Sequence, residues 1–136
     1  MPRLLALIAL LLLLAACAAT PPGPPAVENG ELTNAADGTR IAIKRGGELK
    51  VILDASITTG FQWQSPTNPA PVMSAIGTPI YVGKAADPRF VGGGGMNIFR
   101  FRAEAPGQIV LQFEYRRPWE TTVPPAKTLR YDVVVQ

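Results

Sequence analysis

NIFRFRAEAPGQIVLQFEY, Asn97 to Tyr115, alternates apolar and polar side chains in two runs separated by a Pro-Gly pair. In the first run Phe99, Phe101 and Ala103 share one face, with Arg100, Arg102 and Glu104 on the other. In the second, Ile109, Leu111, Phe113 and Tyr115 oppose Gln112, Glu114 and Arg116. A period of two marks a strand with one buried face, so the stretch predicts two strands with their aromatics inward. Pro106-Gly107 suits a type II turn, because Pro fixes φ at one central position and Gly accepts a positive φ at the next.

The same period extends in both directions. Leu129, Tyr131, Val133 and Val135 form a further inward row toward the C-terminus. Toward the N-terminus, Ile41 and Ile43 alternate with Arg40, Ala42 and Lys44, and Leu49, Val51 and Leu53 alternate with Glu48, Lys50 and Asp54. Gly46-Gly47 between these runs predicts a hairpin or a tight crossover. Phe61 and Trp63 re-enter a strand that Pro66, Pro69 and Pro71 end, and two weaker apolar runs follow at Val72 to Ile76 and Pro79 to Val82. Lys84 to Gly95 reads as a long Gly-rich loop. About seven short strands with no helical stretch predict an all-β fold, an immunoglobulin-like antiparallel β-sandwich. The single cysteine excludes an inter-sheet disulfide, so the core rests on packing alone.

The 136 residues contain no histidine and one cysteine. Ser-His-Asp and Cys-His machinery and His- or Cys-ligated zinc are therefore unavailable, and no metal site or cofactor is expected. No Walker-type loop occurs, and the glycines of VGGGG precede a strand where a phosphate loop would precede a helix. The formal charge of +3 is small and dispersed, which argues against nucleic acid. A binding protein, not an enzyme, is the reading that remains.

The N-terminus carries a separate signal. Met1-Pro2-Arg3 is a short positive start, and Leu4 to Leu14 is an apolar run too short to span a bilayer. Leu14-Ala15-Ala16-Cys17 resembles the lipobox of bacterial lipoproteins, which implies a signal peptide over residues 1–16 and lipidation at Cys17. A membrane partner through that lipid anchor, and a position in the cell envelope at the outer membrane facing the periplasm, are the corresponding expectations. The alternative is a secretory signal cleaved at a nearby small-residue site. Pro-rich TPPGPP reads as a stiff spacer within a tether over residues 17–30, ahead of a domain over residues 31–136. The folded part is expected to begin between Val27 and Leu32.

Three loops carry more than turn chemistry. They are Ser56-Ile57-Thr58-Thr59-Gly60-Phe61, Val91-Gly92-Gly93-Gly94-Gly95 and Arg117-Pro118-Trp119-Glu120. Each alone reads as a turn, a loose hairpin or a lid over the core. Together they combine a β-branched tip, side-chain-free backbone suited to lying against another backbone, and a restrained Trp, the residue type enriched at binding hot spots.

SITTGF at Ser56 to Phe61, GGGG at Gly92 to Gly95 with Phe99 and Phe101 beyond, and RPW at Arg117 to Trp119 resemble, in order, the motifs of the chagasin family of cysteine-protease inhibitors. The resemblance covers about Leu32 to Val135. It implies a monomeric, reversible inhibitor whose three loops enter the active-site cleft of a papain-like cysteine protease. The protease-binding residues it implies are Ile57, Thr58, Thr59, Gly60, Phe61, Gly92, Gly93, Gly94, Gly95, Arg117, Pro118 and Trp119. The family usually has Asn-Pro where this chain has Ser56-Ile57, which implies a looser loop and a larger ordering cost on binding. A second reading needs no protease: an immunoglobulin-like envelope lipoprotein that binds another envelope protein or a polysaccharide, with Trp63 and Trp119 as a stacking surface.

Overall fold

The computed structural model describes residues 22–84 and 94–136, and its regular elements are strands apart from one 3-10 turn. They are β1 (Val27–Thr33), β2 (Arg40–Ala55), β3 (Gln62–Gln64), β4 (Met73–Ala75), β5 (Ile80–Gly83), β6 (Gly95–Ala103), β7 (Gly107–Arg116) and β8 (Lys127–Val135). The two weak apolar runs are strands, β4 and β5. The first strand opens at Val27, so residues 27–30 are already paired.

Gly46-Gly47 does not close a hairpin. β2 is a single strand of 16 residues that runs through both glycines. Its first part pairs in parallel with β8, Arg40 to Ile43 against Asp132 to Val135. Its second part pairs antiparallel with β6, Glu48 to Ala55 against Arg102 to Gly95. Between them Gly46 takes a φ of 84°, a conformation that L side chains rarely adopt. A β-carbon on Gly47 would collide with the Glu28 carbonyl of β1. The glycines therefore make a bulged corner at which one strand passes from one leaf of the sandwich to the other.

All eight strands are hydrogen-bonded into one sheet, which curls at this corner into two leaves: β3-β7-β8 with the first part of β2, and the second part of β2 with β6, flanked by β1 on one side and by β4 and β5 on the other. Pairing is antiparallel except for β1 with β2 and β2 with β8. β6 and β7, the strands of the quoted stretch, share no ladder. Pro106-Gly107 carries the chain between leaves, and the inward rows meet face to face: Phe99 against Phe113 at 4.9 Å between ring centroids, edge on, and Phe113 against Tyr131 of β8 at 5.7 Å.

The alternation predicts burial well along these strands. Leu49, Val51, Leu111, Phe113, Tyr131 and Val133 are all fully buried, each large side chain contributing about 1.5 to 3 kcal/mol. Ala42, which the alternation places outward, is instead buried beside Ile43 just before the corner.

Candidate functional site

β2 reaches one end of the sandwich at Ala55, whose partner in the ladder is Gly95 at the start of β6. The chain then makes a single 3-10 turn, Ile57–Thr59, which Gly60 ends with φ 81° and an N–H donated to the Ile57 carbonyl at 2.9 Å. The Ser56 carbonyl accepts from the Thr59 N–H at 3.3 Å and from its hydroxyl at 2.7 Å. The Ser56 and Thr58 hydroxyls lie 3.2 Å apart. The loosening expected from the missing proline is thus opposed by a local hydrogen-bond network in which Ser56 is the hub. Ile57, Thr58 and Thr59 nevertheless remain exposed, with Ile57 at 47%. The result is a small turn, held from below, that presents three side chains to solvent.

The loop after β7 braces this turn from one side. Arg116 and Arg117 both reach Glu120, the first at its carbonyl and the second at its carboxylate, and each adds further partners. Arg116 donates to the carbonyls of Glu120 at 2.8 Å and Val123 at 3.0 Å, which fixes the loop on itself. Arg117 Nε donates to the Thr59 carbonyl at 3.0 Å, and the guanidinium lies 4.5 Å over the Phe61 ring. Phe61 in turn stacks on Tyr115 at 5.3 Å, and Tyr115 meets Trp63 at a tilt, with ring centroids 5.0 Å apart. Trp119 projects beyond this column and is 67% exposed. The edge of its indole rests against Gly60, where any β-carbon would collide with the ring. Gly60 is therefore required twice, for its positive φ and for the approach of Trp119.

The glycine segment borders the turn on the side of β6. Gly92 and Gly93 lie outside the described residues, as does Cys17. The Gly94 carbonyl accepts from the Lys84 N–H at 3.0 Å, and Gly95 is buried between Ala55 and Gly83 in the sheet. A β-carbon on Gly95 would meet the Tyr81 hydroxyl and the Val82 carbonyl, whereas one on Gly94 would come only to within 3.4 Å of the Ala55 carbonyl. Lys84 also pairs with Asp54 at 3.4 Å.

Thr59, Gly60, Phe61, Arg117 and Trp119 are thus brought into direct contact, Ile57 and Thr58 cap them, and Gly94 and Gly95 lie along the other side. Pro118, partly buried, joins Arg117 to Trp119. Among the described residues there is no His, Cys, Asp and Glu cluster that would hold a metal. What the arrangement offers is a stiffened edge with donors, acceptors and apolar surface.

Tyr115, which the alternation marks only as an inward residue, belongs to this support. Its hydroxyl accepts from the Ser56 N–H at 3.2 Å, so β7 holds the root of the first loop. Asn97 is a second such residue: it is 6% exposed, on the inward face of β6, and its Oδ1 accepts from the Trp63 N–H at 3.1 Å. A polar side chain at an inward position of an alternating run was the available signal. Trp63 is 7% exposed and its Nε1 donates to the Asp54 carbonyl at 2.9 Å, so it is a core residue with no surface to offer a sugar.

The family model described as the chagasin family peptidase inhibitor I42 matches residues 42–133. Among solved structures, the cysteine protease inhibitor EhICP2 of Entamoeba histolytica superposes with a TM-score of 0.70 at 22% identity, over 84% of this chain and 100% of that one. Amebosin, solved in solution, gives 0.63 at 29% identity over the same shares. PbICP-C, solved in complex with falcipain-2, gives 0.53 at 17% identity over 84% and 96%. No match is found among curated proteins.

These relatives correct one expectation. A lipid-anchored position in the cell envelope, at the outer membrane facing the periplasm, was inferred from residues 1–17, which lie outside the described residues. EhICP2 and Amebosin are matched over their whole length, so the comparisons support a small globular β-domain in place of the lipid-anchored envelope protein expected from that segment. That domain closes its own core between the leaves.

Proposed function

This chain belongs to the chagasin family of peptidase inhibitors, and from that premise we propose that it reversibly inhibits papain-like cysteine proteases by inserting its three-loop edge into the active-site cleft. It is an inhibitor and not an enzyme. The observation that carries the reading is the bracing of the exposed Ile57–Thr59 turn by Arg117 at the Thr59 carbonyl and by Trp119 over Gly60. A wedge must enter a cleft without yielding, and a turn already held in one conformation loses less entropy on binding.

In this reading Thr58 and Thr59 approach the enzyme's catalytic cysteine and histidine. Gly92 to Gly94 lie along the non-primed side and pair by backbone hydrogen bonds, as a substrate strand would. Gly95, expected among the contact residues, is instead already paired on both sides with Ala55 and Gly83 and anchors the segment in the sheet. Arg117, Pro118 and Trp119 pack on the opposite flank, with Ile57 and Phe61 completing the contact. The tip is a closed 3-10 turn and not an extended strand, so no peptide bond is offered in the geometry that nucleophilic attack requires. The domain acts as a monomer, and the interface is of the usual protease–inhibitor size, roughly 1,600 Å² in total.

Cleft occupancy is tested by competition. Papain captured by the immobilised chain should be lost when its cleft is first filled by a covalent epoxide inhibitor. Undiminished capture of the blocked enzyme would place the contact elsewhere and overturn the wedge.

A further inference from the structure

The outer face of the leaf formed by β1, β2, β6 and β5 is divided in two. Away from the loops it is polar and paired: Arg100 grips Glu48 through Nε at 2.7 Å and Nη2 at 3.1 Å, Lys50 meets Glu31 at 3.3 Å, and Ser74 meets Glu104 at 2.6 Å. Next to the loops it is apolar. Ile52 and Ile80 both pair with Ile98 across the sheet, and Val82 pairs with Met96 in the adjoining row. Ile80 is 52% and Val82 42% exposed. The inward partners on these strands, Leu53, Asn97 and Phe99, are buried, so the apolar residues face away from the core.

Folding does not require this strip. An outward position on an edge strand such as β5 is served as well by Thr or a charged residue, which would also protect the edge. The strip is contiguous with the inhibitory edge: the pair Val82 and Met96 is followed directly by Gly83 and Gly95, where the glycine segment leaves the sheet. An exposed apolar patch bordered by polar residues marks an interaction surface.

We propose that Ile52, Ile80, Val82, Met96 and Ile98 form a second contact surface for the same protease, an exosite that packs on an apolar part of the enzyme's body beside the non-primed end of its cleft. The inference rests on the wedge reading, because an enzyme seated on the three loops is what overhangs this face. The Lys84–Asp54 pair, at 3.4 Å, lies at the border between strip and loops and supplies a polar rim.

The test compares the full chain with the double variant Ile80→Ser, Val82→Ser against papain, with Trp119→Ala as the wedge control. The double variant is expected to raise the inhibition constant about tenfold, chiefly through faster dissociation, with its thermal midpoint within about 2 °C of the parent. An unchanged constant, with Trp119→Ala still weakening inhibition, would overturn the exosite and leave the wedge standing. Failure of the parent chain to inhibit at all would remove the wedge first. A parent dimer in sedimentation that the double variant dissolves, with inhibition unchanged, would assign the strip to self-association and overturn the proposal.

Discussion

Arg117 donates from Nε to the carbonyl oxygen of Thr59 at 3.0 Å, joining two loops that stand 58 residues apart in the chain. The same guanidinium covers Phe61 and meets Glu120 at 3.3 Å, so one planar group serves three partners. A lysine ammonium has no fork and no flat face to do this. Arg117→Lys is expected to weaken inhibition of papain about tenfold while shifting stability by less than about 1 kcal/mol, since the pair is partly exposed. Inhibition assays beside a thermal melt check both parts.

Trp119 and Gly60 give a matched pair of substitutions. Trp119→Ala removes a mostly exposed ring and should leave the thermal midpoint nearly unchanged while weakening inhibition ten- to a hundredfold. Gly60→Ala puts a side chain at φ 81° and pushes the indole away, so it should lose about 1 kcal/mol or more of stability as well as affinity. Equal loss of stability in both variants would make Trp119 a lid over the core and not a contact residue.

Gly94 and Gly95 are adjacent and should respond differently. Gly95→Ala drives a methyl into the Val82 carbonyl and the Tyr81 hydroxyl, and is expected to cost about 1 to 3 kcal/mol by opening β5 from β6. Gly94→Phe has room, its nearest obstacle being the Ala55 carbonyl at 3.4 Å from the new β-carbon. It should keep the parent's melting behaviour and lose inhibition, because a bulky group there holds the backbone away from the enzyme's.

How far the sequence carries the fold is visible in β6 and β7. Their alternation gives the inward faces correctly because two leaves packed on each other leave no other place for Phe99, Leu111 and Phe113. The pairing is not legible in the same way. Pro106-Gly107 looks like a hairpin turn whether the strands that follow pair or face each other, and Gly46-Gly47 looks like a turn although β2 continues through it. Both outcomes depend on what lies across the fold, Val72 in one case and Glu28 in the other. The candidate site divides likewise. Thr58, Thr59 and Trp119 announce themselves by residue type, whereas the supporting Tyr115 hydroxyl and Asn97 amide act through contacts 59 and 34 residues away.

Tyr131 makes stability depend on alkaline pH. Burial, and secondarily the Asp37 carboxylate, raise its phenol above the ordinary value of 10.0. Its hydroxyl donates to the Ala35 carbonyl at 2.8 Å, which requires the neutral form. Below the ordinary value both folded and unfolded chains hold the proton and the stabilisation is complete. Above it the unfolded chain ionises first, so stability falls as pH rises through the window up to the raised folded value. Tyr131→Phe should lose about 1 kcal/mol at neutral pH with the hydrogen bond, and show a shallower decline above pH 10 in denaturant melts.

The central claim is tested most directly by titrating the purified chain into papain at active-site concentration and following hydrolysis of a fluorogenic peptide. The account predicts a linear fall to zero at one inhibitor per enzyme, recovery of activity on dilution, and an intact chain by mass afterwards. Undiminished activity, or a chain cleaved within Ser56 to Phe61, would contradict it.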